Sequence, residues 1–181
     1  MEIWDEIKRD SSLGAKRLVD EYGDRLMKTA YRLCSSRETA EDLTFRTLSQ
    51  AVSHIGQFDR TVSFFGWLRR ILVNFHQMDM RRKGANALDL VDAPPDVADE
   101  RPDPAETLAA KTDAAAVRMA VALLKSPFRE TVVLHYFDGL DVAEIARVMS
   151  VPAGTVKFRL HSARRKMREI LSPTFFGQGA F

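Results

Sequence analysis

The stretch that most constrains this chain runs from Asp141 to Lys166. Apolar residues Val142, Ile145, Ala146, Val148 and Met149 recur there at helical spacing. Asp141, followed three residues later by Glu144, is the signature of a capping box, so a helix is expected to begin at that point. Pro152 has no N–H and disfavours helical backbone at Val151, so the same helix must end near Ser150. Proline suits the first turn of a new helix. Val156, Leu160, Ala163, Met167 and Ile170 then mark one continuous inward stripe. Two short helices across a tight turn, the second basic on its outer face, make the helix-turn-helix pattern. Ala146 is expected where the helices cross closely, and Val156 in the angle between them. Thr155, Lys157, Phe158, Arg159, His161, Ser162, Arg164 and Arg165 are left to face outward or to flank the stripe.

The rest of the chain reads as helices too. Trp4 and Ile7 suggest a short first helix. A second runs from Ala15 to Leu33, with Leu18, Val19, Tyr22, Leu26, Ala30 and Leu33 on one face. A third spans Glu38 to His54, and residues 55–62 form a loop. Ser63 can cap a fourth, Phe64 to about Arg82, whose apolar side carries Phe64, Trp67, Leu68, Ile71, Leu72 and Phe75. Trp67 is expected in the core. From Gly84 to Pro104 the chain turns acidic and proline-rich, which marks a solvated linker. Helices resume near Ala105, and one is expected from Phe128 to Phe137, ended by Asp138-Gly139. No strand-period alternation occurs. The expected fold is therefore all-α: two small helical domains, 1–83 and 108–172, joined by a flexible acidic linker, 84–107, with a tail at 173–181.

Charge and composition bear on the class of function. The formal net charge is only +2 over 181 residues, but basic residues gather at Arg69–Lys83 and Lys157–Arg168. The single cysteine, Cys34, excludes an internal disulfide framework and fits a reducing compartment. No stretch reaches transmembrane length and the first residues lack signal-peptide character, so a cytoplasmic protein without membrane insertion is expected. His54, His76, His135 and His161 have no metal-ligand spacing, and there is no phosphate-cradling glycine loop. An enzyme, a bound metal and a cofactor are not expected.

Two separate stretches then resemble one family. Phe128-Arg-Glu130, Tyr136 to Leu140, Glu144-Ile-Ala146, Val151 to Lys157 and Ala163-Arg-Arg165 resemble the second DNA-binding domain (region 4) of bacterial sigma factors of the extracytoplasmic-function group. Ala40-Glu-Asp-Leu43, Gln57-Phe-Asp59, Ser63 to Leu68, Asn74, Asp79 and Arg81-Arg82 resemble that family's first domain, region 2. The resemblance implies a dissociable subunit of RNA polymerase that directs promoter-specific initiation. Its partners would be core polymerase, through the clamp of the β′ subunit, promoter DNA, and an anti-sigma factor that wedges between the domains. The free protein would be a monomer.

The resemblance also distributes roles. Region 4 would read the upstream promoter element in duplex form, with Lys157 and Arg159 as the best placed long donors. Phe158 and His161 would meet bases or a thymine methyl, while Arg164 and Arg165 suit phosphates. Region 2 would hold unpaired bases of the downstream element, with Phe58, Asp59 and Asn74 forming the pocket and Arg69, Arg70, Arg81 and Arg82 tracking the backbone. Polymerase binding would fall on the helix of Glu41 and Asp42. There the chain departs from the family pattern, with Phe45 and Arg46 in place of a glutamine and an acid. A cation facing a basic clamp surface would cost several kcal/mol. Two other readings follow from these features: a sigma-like mimic that sequesters an anti-sigma factor, and a polymerase-independent helix-turn-helix regulator.

Overall fold

The computed structural model describes residues 2–60, 62–86 and 108–172, and every regular element among these is helical. Most of the expected linker and the expected tail lie outside the described residues. Helix α1 (Ile3–Arg9) folds back on α2 (Ser11–Cys34) at Asp10, whose carboxylate accepts from the N–H groups of Ser12 and Leu13 at 3.0 and 3.1 Å. The reversal requires Gly14, because a Cβ there would lie 2.6 Å from the Ile7 Cα. Leu18, Leu26, Ala30 and Leu33 form the fully buried stripe of α2. Val19, expected on the same face, is 52% exposed. It lies about 100° around the helix from Leu18, outside so narrow a stripe.

Ser36 caps α3 (Arg37–Ser53), which buries Leu43, Thr47 and Ala51. The buried Thr44 and Thr47 hydroxyls are satisfied by donating to the carbonyls of Ala40 and Leu43, each at 2.7 Å. The expected loop contains a 3₁₀ turn, Ile55–Gln57. Ser63 caps α4 as its neighbours predict, accepting from the Gly66 N–H at 3.1 Å. Helix α4 then runs past Arg82 and through Gly84, spanning Phe64–Asn86.

The second half comprises α5 (Leu108–Ala122), α6 (Phe128–Val132), α7 (Val142–Met149) and α8 (Ala153–Ile170). One regular helix was expected over Phe128–Phe137. Instead the turn Val133–Phe137 widens to i→i+5 bonding, with the Asp138 N–H donating to Val133 O at 3.1 Å. Gly139, at φ 71°, reverses the chain. The capping box at α7 is complete: the Glu144 N–H donates to Asp141 Oδ1 at 2.8 Å, and the Asp141 N–H to Glu144 Oε2 at 2.9 Å. Ile145, Val156 and Leu160 close the helix-turn-helix core.

The two halves share their apolar cores. Val121, Leu124, Val132, Val133 and Ala163 belong to one cluster with Leu18, Leu26, Leu33 and Leu72 of the first half. Reciprocally, Val73 of α4, fully buried, joins Leu134, Ile145, Val156 and Leu160. Helices α2 and α4 are thus the wall against which the second half packs.

Candidate nucleic-acid interface

Helix α8 presents the first candidate surface. Its inward stripe buries Val156, Leu160, Ala163 and Ile170, which turns the intervening residues outward. Lys157, His161 and Arg164 are exposed in near-register, since residues three and four apart share a helix face. Phe158 and Arg165 are exposed beside them, Phe158 at 64%. Thr155, Arg159 and Ser162 are half-buried at the edges. Arg159 leans towards α7, with its Nη1 3.9 Å from Met149 Sδ. The helix therefore offers donors and an aromatic ring near its N-terminus and a run of arginines behind them. That order suits base edges first and phosphates second.

Helix α4 divides the other expected DNA residues between two faces. Arg70, Asn74 and Arg81 are exposed on one stripe, and Arg82 is exposed beside it. Arg69 falls on the other stripe, with Val73 and His76, and faces the second half of the protein. Its Nε donates to Asp138 Oδ2 at 2.8 Å and its Nη2 to the Asp138 carbonyl at 3.3 Å. The two side chains are 11% and 6% exposed. Burial lowers the Arg69 pKa, opposed by the charge and hydrogen bond of Asp138. Thr29 on α2 completes the group, its hydroxyl 3.0 Å from both carboxylate oxygens of Asp138.

A second buried polar group lies two turns further along α4. Glu130 is fully buried and accepts from His76 Nδ1 at 2.8 Å, Gln77 Nε2 at 3.0 Å and the Ser126 hydroxyl at 2.7 Å. Burial pushes the Glu130 carboxyl up, but the hydrogen bonds from His76, Ser126 and Gln77 outweigh it and hold the group below its ordinary value. Arg129 reaches back to donate to the Leu33 carbonyl at 2.7 Å, at the open end of α2.

The expected base pocket is lined differently from what the loop alone indicated. Phe58 is half-buried among Phe64, Trp4 and Trp67, with ring centroids at 5.0, 5.2 and 5.4 Å. Trp4 comes from α1, and Arg60 ties that helix down through Asp5 at 2.5 Å. Trp67 packs against the core, as its spacing predicted. Asp59 is exposed at the loop.

On α3, Glu41, Asp42 and Phe45 are exposed, Phe45 at 71%. Arg46 does not project from this face. Its Nη1 bonds Asp42 at 3.1 Å and Asp79 at 2.8 Å, and its guanidinium stacks on Phe75 at 4.6 Å. Two carboxylates thus offset the charge that the sequence set against a basic partner.

Sequence reasoning gave Trp4, His76, Glu130 and Asp138 no place in these polar and aromatic groups and did not single out Thr29. Two of these carried a signal. Glu130 is a charge next to the apolar run Val132–Leu134, and His76 follows Leu72 at i+4 on the inward side of α4. Among the described residues no helix is long and apolar enough to cross a membrane.

Comparison with known proteins places two family matches on these two halves. Sigma-70 region 2 matches residues 18–91, and Sigma-70, region 4 matches residues 114–167. The chain is 31% identical over 173 residues to the ECF RNA polymerase sigma factor SigE of Mycolicibacterium smegmatis, covering 95% of this chain but 63% of that protein. It is 30% identical to the ECF RNA polymerase sigma factor SigL of Mycobacterium tuberculosis, covering 84% of this chain and 86% of that one. Among solved structures, the sigma factor RpoE in complex with the anti-sigma factor NepR from Bartonella quintana matches with a TM-score of 0.68 and 26% identity, covering 86% of this chain and 95% of that one.

Proposed function

The chain belongs to the extracytoplasmic-function sigma factors of bacterial RNA polymerase, and from that membership we propose that it binds core polymerase and directs it to a specific set of promoters. The observation that carries the proposal is the coexistence on one chain of two separate DNA-suited surfaces: the exposed outer face of α8 and the exposed stripe of α4. In this reading Lys157, Phe158, Arg159 and His161 meet base edges of the upstream element in the major groove, flanked by Thr155 and Ser162. Arg164 and Arg165 neutralise phosphates. Phe58, Asp59 and Asn74 hold unpaired downstream bases, while Arg70, Arg81 and Arg82, exposed on α4, follow their backbone. Glu41, Asp42 and Phe45 form the polymerase-facing surface. Arg46 acts from behind it, and its pairing with Asp42 and Asp79 supports a clamp contact despite its charge. The RpoE–NepR likeness supports an anti-sigma partner for this chain as well.

The test is in vitro transcription with core polymerase from the source bacterium and its fragmented genomic DNA. New, discrete start sites that depend on this protein are expected. No transcript and no co-elution with core polymerase would overturn the proposal. Lys157→Ala with Arg159→Ala is expected to relax sequence preference at the upstream element, read by footprinting.

A further inference from the structure

Helix α8 carries one line of exposed residues directly opposite its buried stripe. At about 100° per residue, Gly154, Phe158, His161 and Arg165 fall roughly 180° from Val156, Leu160, Ala163 and Ile170, and all four are exposed. Lys157 and Arg159 lie to the two sides of that line, and Arg159 leans back towards Met149. The ridge of α8 that reaches furthest from the core therefore begins with a ring and not with a long donor. Phe158 is 64% exposed and belongs to neither apolar core of the described residues. Long side chains on a helix lean over the preceding turn. The residue one turn before Phe158 is Gly154, where a Cβ would meet open space. Gly154 thus gives the ring no side chain to pack on and adds no bulk beside it.

We infer that Phe158 is a specificity-determining residue of this chain, and that it selects the C5-methyl group of a thymine in the upstream element; the inference rests on the sigma-factor reading above. Among the groups that base pairs present in the major groove, the thymine methyl is the apolar one. Seated on it, the Phe158 ring and the methyl both leave water. Against guanine, adenine or cytosine the same ring covers acceptors or an amino group and offers them no partner, and a hydrogen bond left unmade is costly. The ring therefore favours one base and rejects three. Lys157 and Arg159, on its two sides, remain donors for neighbouring base pairs.

The experiment removes the methyl group and nothing else. Holoenzyme assembled from core polymerase and the full chain is titrated against a promoter duplex found by the transcription test above. Each thymine of the upstream element is replaced in turn by deoxyuridine. At one position or more the replacement is expected to weaken binding about 4-fold, the amount that burial of one methyl group contributes. The same duplexes are then titrated with holoenzyme carrying Phe158→Ala, checked for folding by circular dichroism. Because the ring lies outside both cores, the variant is expected to fold as the parent does. Its methyl effect is expected to fall below about 1.5-fold at every position. An upstream element without thymine, one insensitive to every thymine methyl, or a methyl effect unchanged in Phe158→Ala overturns the inference and leaves the sigma-factor reading intact. No protein-dependent start site together with no co-elution with core polymerase overturns both.

Discussion

Arg46 and Arg69 make an instructive pair. Both were assigned from sequence to partner-facing surfaces, and both are found bonded to aspartate and stacked on a phenylalanine. Arg46 is 29% exposed, and its partners Asp42 and Asp79 belong to the same half of the protein. Arg69 is 11% exposed, and its partner comes from the other half. The first arrangement neutralises a charge within one folded unit. The second joins the two halves and is buried between them. The half that supplies the partner, rather than the chemistry of the pair, decides which arginine is held between the two halves.

The largest effect is expected from Asp138→Ala. It leaves Arg69 buried without its carboxylate, a loss of roughly 3–5 kcal/mol for a buried pair broken on one side. Urea unfolding followed by circular dichroism should show it, as a lower midpoint or as separate transitions for the two halves. A loss no larger than that of a surface pair would remove the distinction drawn above. Glu130→Gln comes next, at about 1–3 kcal/mol, since its buried hydrogen-bonding partners no longer match an amide. The same group predicts acid behaviour. Its folded-state pKa lies below the ordinary 4.5, so its stabilising contribution is present above that value and is lost as pH falls through the depressed one. Stability of Glu130→Gln should therefore depend less on pH than that of the parent below about 4.5. Arg46→Ala should cost only about 1 kcal/mol, because the pair is partly solvated and local. If it instead equals Asp138→Ala, the contrast between the two arginines fails. Phe45→Ala should leave stability within about 0.5 kcal/mol. Its effect should fall on core-polymerase affinity, measured by fluorescence anisotropy, as a weakening of about 10-fold for an exposed aromatic at an interface.

Much of the fold was written locally. The capping box at Asp141 and Glu144, the serine caps at Ser36 and Ser63, and the break before Pro152 depend on residues within one turn of each other. Periodicity likewise found the stripe Val156, Leu160, Ala163 and Ile170, and by leaving Lys157, His161 and Arg164 outside it defined the outer face of α8. These signals are short-range, so the chain states them in order.

What the sequence could not state is which stripe of α4 faces the second half. Arg69 and Arg70 are adjacent and identical in type, and only the packing of Val73 among Leu134, Ile145 and Val156 decides that Arg69 turns inward. The widened turn at Val133–Phe137 is the same kind of fact, because nothing local marks it, yet it precedes the residue that meets Arg69. Asp138 was legible only as the end of a helix. Its bonds to Thr29 and Arg69 span 109 and 69 residues, and Glu130 meets His76 across 54. Local composition determined the helices, their caps and the two basic regions. Only the burial of one helical unit against another determined which charges are available to a partner and which are held by the protein itself, because desolvation acts on neighbours in space, whatever their distance along the chain.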